Sequence, residues 1–172
     1  VEDHPRWSRA RLVEVLVPSA DRTTPPCPVA EECGGCDLQH VTPDAARRLR
    51  TRVVREQLAR LGRFGAEADV LVEECRGVGP DLGYRDHVQL HADADGRLGF
   101  HRAGSHDVVP IASCPVASDA VNGLRATFGD GTGARELALR AVGDARTAIV
   151  TPGDGPLALP DDVPTVALRQ GD

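Results

Sequence analysis

Four cysteines constrain this chain more than any other feature. Cys27, Cys33 and Cys36 fall within residues 18–40, a stretch rich in Pro and Gly that shows no sustained apolar periodicity. Such a loop buries too little to order itself, so its order has to come from a cross-link or a bound metal. Cys33-Gly34-Gly35-Cys36 is a compact chelating turn. Its two intervening residues let both thiolates reach one centre, and the glycines let backbone N–H groups approach the sulfurs. Cys27 and Cys114 are each followed by Pro, as is the last cysteine of bacterial ferredoxin runs. Three clustered thiolates with a distant fourth suit a closed site that would staple the loop onto the element carrying Cys114. Spacing alone leaves three readings: an iron–sulfur cluster, a structural zinc, or cysteines that are unligated or paired as disulfides. The fifth cysteine, Cys75 in Val72-Glu73-Glu74-Cys75, reads as a buried or inert thiol on a strand.

No apolar run approaches the roughly 18–20 residues of a membrane span, and no apolar signal-type stretch opens the chain. The expectation is a cytoplasmic monomer with no membrane partner, in a compartment where cysteines bind metal more often than they pair. The first residue is Val and there is no methionine, which reads as a start removed by processing or by design.

The net charge of −6 argues against nucleic acid until it is resolved along the chain. Residues 47–63 hold seven arginines and only Glu56 as an acid. Thr42-Pro43-Asp44 is a helix start, with Thr as N-cap and Pro in the first turn. An apolar stripe of Ala46, Leu49, Val53, Val54, Leu58 and Leu61 then follows at helical spacing up to Gly62. Arg48, Arg52 and Arg55 share one face of that helix, either as RNA-phosphate contacts or as a solvated face. Arg97, His101, Arg102 and His106 surround Phe100, a grouping that suits stacking on unpaired bases or plain hairpin packing. The six histidines show no metal-ligand spacing.

Strand patterns appear at 11–17, 69–75, 84–94, 97–101, 106–111, 134–142, 145–151 and 163–169, with Asp95-Gly96 as a hairpin turn and a weak helix at 116–128. Gly129-Asp130-Gly131-Thr132-Gly133 superficially suggests a cofactor loop, but no clear strand precedes it, so it reads as a helix-to-strand connection. The fold class is α+β: a loop-rich four-cysteine metal module, a basic helix, and a mainly antiparallel sheet with a second helix.

The run Cys27-Pro28, Cys33-Gly34-Gly35-Cys36-Asp37-Leu38-Gln39-His40 and its Arg-rich helix resembles the RNA 5-methyluridine methyltransferases of the 23S rRNA type. So do Gly83-Tyr84-Arg85, the segment Gly99-Phe100-His101-Arg102-Ala103-Gly104-Ser105-His106, and Cys114-Pro115. The similarity covers residues 9–128 and weakens from 129 to 172. It implies a [4Fe–4S] cluster on Cys27, Cys33, Cys36 and Cys114, and RNA as partner, 23S rRNA in particular. It further implies residues 1–18 as the tail of an OB-like RNA-binding barrel, 19–63 as the iron–sulfur loop and basic helix, and 64–172 as a central α+β domain. In that family a cysteine further along attacks C6 of uracil, S-adenosylmethionine methylates C5, and a carboxylate helps remove the C5 proton. The domain carrying that chemistry and that cofactor is expected to follow residue 172, so no catalytic residue is assigned and this chain alone is expected to be inactive. The alternative is a non-catalytic four-cysteine zinc module that binds nucleic acid or protein.

Overall fold

The structure, a computed structural model, describes residues 2–10 and 12–168. A short antiparallel hairpin, β1 (Glu2–His4) and β2 (Trp7–Arg9), opens the chain. The strand expected at 11–17 does not form: residues 12–17 are irregular, and residue 11 lies outside the described residues. Alternating polarity alone did not make a strand where no neighbouring strand supplies a ladder.

Helix α1 (Pro43–Arg60) starts as the Thr-Pro-Asp signature requires, although the Thr42 side chain makes no capping bond. Its packing differs from the sequence expectation. Ala45, Ala46 and Thr51 are the buried residues, whereas Leu49, Val53, Val54 and Leu61 of the expected stripe are 39%, 54%, 48% and 77% exposed. Small residues face inward because extended chain lies close against this helix. Cys75 N–H donates to Thr51 Oγ1 (2.8 Å), and a Cβ on Gly77 would lie 3.1 Å from the Arg47 guanidinium. The strand expected at 69–75 is instead a 3-10 turn (Gly65–Glu67), a one-turn helix α2 (Ala68–Leu71) and irregular chain. Cys75 is accordingly exposed rather than buried.

The remaining elements are β3 (His87–Ala92), β4 (Leu98–His101), β5 (Val108–Pro110), α3 (Asp119–Phe128), β6 (Ala134–Val142), β7 (Ala145–Pro152) and β8 (Thr165–Ala167). They build a six-stranded sheet in the order β5-β4-β3-β6-β7-β8, antiparallel except for the β7–β8 pair. Period-two burial is clear in β3, where Val88 and Leu90 are buried and His87 and Gln89 are exposed. Leu98, Leu137, Leu139, Ala148 and Val150 join them from the other strands. Helix α3 covers this face with Val121, Leu124 and Phe128, and Ser118 caps it by accepting from Val121 N–H (3.3 Å). Asp95-Gly96 makes the β3–β4 turn, with Gly96 at φ +77°, a left-handed conformation that favours glycine. Residues 129–133 connect α3 to β6, the helix-to-strand role read from the sequence.

Arg125 is an unforeseen part of the core edge. Its guanidinium, 8% exposed, donates to Ile111 O (3.1 Å), Gly129 O (3.2 Å) and Asp130 (2.8 Å), and Asp130 also accepts from Leu98 N–H (3.2 Å). This pairing holds the end of α3 against β4 and the chain leaving β5.

Candidate metal centre and nucleic-acid interface

The cysteine loop docks on the β4–β5 hairpin edge-on. Gly34 N–H donates to His101 O (2.9 Å), Ala103 N–H donates to Glu32 O (3.1 Å), and Arg102 pairs with Glu32 (2.6 Å). A side chain at Gly34 would press on His101 O at 3.0 Å and on the Ala103 backbone at 3.2 Å, so any larger residue there requires the loop to draw back by a few tenths of an ångström. The loop's other end is tied by Thr42 N–H to Asp21 O (2.8 Å) and by Cys27 N–H to the Gln39 side chain (3.2 Å).

Cys114 lies on the chain between β5 and α3. Asn122 of α3 fixes it from both directions, accepting from Cys114 N–H (2.8 Å) and donating to Cys114 O (3.0 Å) and Ala117 O (3.2 Å). Cys27, Cys33, Cys36 and Cys114 thereby line one pocket, whose walls include Phe100 and Ile111. Burial pushes the Cys33 thiol above its usual pKa, a Gly35 N–H donated to its sulfur opposes this, and the neighbouring Cys27, Cys36 and Cys114 raise it further. Four thiolates this close repel one another, and a cationic centre of soft-metal type is what they suit. The donor type is that of a four-thiolate metal group, although among the described residues no group of three or more His, Cys, Asp or Glu is placed to hold a metal ion. Cys75 takes no part in the pocket.

The arginines of α1 mostly find partners within the chain. Arg47 bridges Asp44 and Asp81 (2.6 and 2.8 Å), Arg48 meets Asp21 (2.7 Å), and Arg52 meets Glu56 (2.7 Å). Arg55 turns inward, donating to Val72 O (2.9 Å) and approaching Glu74 (3.4 Å). The charge excess counted along residues 47–63 is thus largely offset by acids that lie outside that window. Phe100, at the centre of the grouping read as base stacking or hairpin packing, is half-buried: it walls the cysteine pocket and packs against the core. Arg102 holds the cysteine loop through Glu32.

Strand register brings together three histidines that sequence spacing did not connect. His91 stacks on His101 with centroids 3.8 Å apart, and His101 meets His106 edge-on at 5.4 Å. Burial, with His101 alongside, lowers the His91 pKa, and Glu136 opposes this. Among the described residues no helix is long and apolar enough to cross a membrane.

No protein-family model matches the chain. It is 41% identical over 165 residues to an uncharacterized RNA methyltransferase of Streptomyces coelicolor, a match covering 90% of this chain and 36% of that protein. It is 37% identical over 121 residues to a 23S rRNA (uracil(1939)-C(5))-methyltransferase of Halomonas elongata, covering 69% of this chain and 24% of the relative. The fold is similar to that of a Pyrococcus abyssi tRNA (uracil-54, C5)-methyltransferase solved with S-adenosyl-L-homocysteine. That likeness has a TM-score of 0.54 and 22% identity, over 86% of this chain and 36% of the other. The chain thus spans about a third of the length of the first of these curated relatives and about a quarter of the second. Over that stretch, it belongs to the RNA uracil-5-methyltransferase family.

Proposed function

We propose that this stretch is the iron–sulfur-binding and RNA-recognising portion of an S-adenosylmethionine-dependent RNA (uracil-5-)-methyltransferase, with methyl transfer carried out elsewhere in the longer protein. The observation that carries this reading is the convergence of Cys27, Cys33, Cys36 and Cys114 on one pocket. A [4Fe–4S] group bound there supplies a strong cross-link between residues 27–36 and the segment of Cys114. The chain's own residues do the rest. Asn122 positions Cys114, the Gly34 contact docks the loop, Gly35 N–H stabilises sulfur charge, and Phe100 and Ile111 limit water access. The runner-up is a structural zinc. Among the described residues, no group of three or more His, Cys, Asp or Glu stands as one metal ion would require. The likeness to the 23S rRNA enzymes favours the cluster over zinc, and metal analysis separates the two.

The inferred RNA face begins on α1. Arg48 and Arg52 have side chains 58% and 74% exposed, and surface ion pairs of this kind are weak enough for a phosphate to replace the carboxylate. Arg55 is held by Val72 O and Glu74, while Arg102 and Phe100 belong to the cysteine-loop side of the same inferred interface. Homology to the rRNA enzymes favours 23S rRNA as the substrate. The iron-loaded chain is expected to bind a single-stranded oligoribonucleotide with strong salt dependence, and to show no saturable S-adenosylmethionine binding by calorimetry. Reversing Arg48 and Arg52 to Glu should flatten the log–log salt slope by about 1.4 units, at about 0.7 per lost phosphate contact. An unchanged slope would remove this helix from the interface, and micromolar cofactor binding would show that the cofactor site lies within these residues.

A further inference from the structure

A groove of about 790 Å³ runs between the cysteine loop, the start of α1 and residues 81–85. Its lining includes Arg50, Tyr84 and Arg85, and these three have an unusual standing in the chain. Arg47, Arg48, Arg52 and Arg55 are all engaged by carboxylates, but Arg50 forms no ion pair among the described residues. Arg85 is likewise without a carboxylate and donates only to Gly35 O, at a long 3.4 Å. Tyr84 is 56% exposed beside them. Two guanidiniums without a carboxylate partner and an open aromatic ring share one concave surface, one of whose acids, Asp81, is held by Arg47, and together they suit an anion attached to a flat group. Asp37 lines the same groove without an ion pair among the described residues. It repels phosphate but accepts hydrogen bonds, as a ribose 2′-hydroxyl or a base amino group would offer.

We propose that this groove binds one or two unpaired nucleotides of RNA. Arg50 and Arg85 hold the backbone phosphates, Tyr84 stacks on a base, and Asp37 accepts from the ribose or base edge. The proposal rests on the RNA reading above and deepens it, moving the centre of recognition from the outer face of α1 to a groove that shares Gly35, Cys36 and Arg85 with the metal pocket. Phosphate contacts fix the strand's position, while stacking demands an unpaired base, so the groove would select single strands over duplex.

The test is binding of a short unpaired oligoribonucleotide, and separately of inorganic phosphate, to the iron-loaded chain and to Arg50→Gln, Tyr84→Ala and Tyr84→Phe. Arg146→Gln on β7, outside the groove, serves as control. Arg50→Gln should weaken RNA binding about tenfold and reduce the salt slope by about 0.7. Tyr84→Ala should weaken it about 5- to 150-fold, as expected for loss of one stacked base. Tyr84→Phe should restore binding, and Arg146→Gln should leave it unchanged. Parent-like RNA binding by both Arg50→Gln and Tyr84→Ala overturns the groove and leaves the family-based RNA reading standing. Equal effects of Tyr84→Ala on phosphate and on RNA would overturn the stacking role. No RNA binding by the iron-loaded parent overturns both readings. Iron content and visible absorption of each variant separate loss of the metal centre from loss of the groove.

Discussion

Cys114→Ser is expected to abolish metal retention and lower stability by several kcal/mol, whereas Cys75→Ser should leave both unchanged. Residues 19–41 contribute no side chain to the hydrophobic core cluster. Their order rests on a few backbone bonds to the β4–β5 hairpin and to the start of α1. With so little apolar burial, metal binding by the proposed site would be one event with loop folding, and its free energy would become folding free energy. Serine at 114 keeps the size and the Asn122 bonds but removes the soft thiolate. Cys75 differs because its side chain is exposed and only its backbone N–H is used, by Thr51. Iron analysis with urea unfolding checks both variants. Full metal loading in Cys114→Ser would show that the fourth ligand has been misassigned.

Gly99→Ala is expected to cost about 3 kcal/mol, a large effect for one added methyl group. Gly99 lies in β4 opposite Pro110 of β5. A Cβ there would overlap the Val109 carbonyl oxygen and lie 2.6 Å from its carbon and 2.8 Å from Pro110 Cα. All three are backbone atoms, so no side-chain rotation relieves the clash, and β5 has to move away. Because β5 leads to Cys114, metal retention should fall along with stability. Gly123→Ala supplies the opposite sign: it is a helical glycine in α3 with open space around its Cβ position, and alanine should stabilise it by about 0.5–1 kcal/mol. Urea midpoints measure both changes, and a Gly99→Ala midpoint equal to the parent's would refute the close-approach account.

How much of this was legible in the sequence depended on whether the cause was local. The β3–β4 hairpin and β6 with β7 were readable because strand patterns and an Asp-Gly turn act within a few residues; α3 was read only weakly, and its Ser118 cap came from the structure. The pairing of Cys27, Cys33 and Cys36 with Cys114 was suggested by motif spacing, and the structure places all four at one pocket. What failed was non-local. Of the helical stripe of α1 only Ala46 is buried, because the chain at 75–77 lies against Thr51 and Arg47 and leaves Leu49, Val53, Val54 and Leu61 exposed. Counting arginines along residues 47–63 missed Asp21, Glu74 and Asp81, which tertiary structure carries to them. The cysteine loop lying against Phe100 is a contact that its hairpin neighbours did not announce. The histidine stack arises from β3–β4 register, and the buried Arg125 clamp from the approach of α3 to β4. No short sequence window contains either.

The central claim is that four cysteines hold an iron–sulfur cluster, and metal and sulfide analysis of anaerobically prepared protein tests it most directly. The account predicts brown protein with about four iron and four acid-labile sulfide per chain. One zinc per chain without sulfide, or a stable folded chain holding no metal at all, would contradict it.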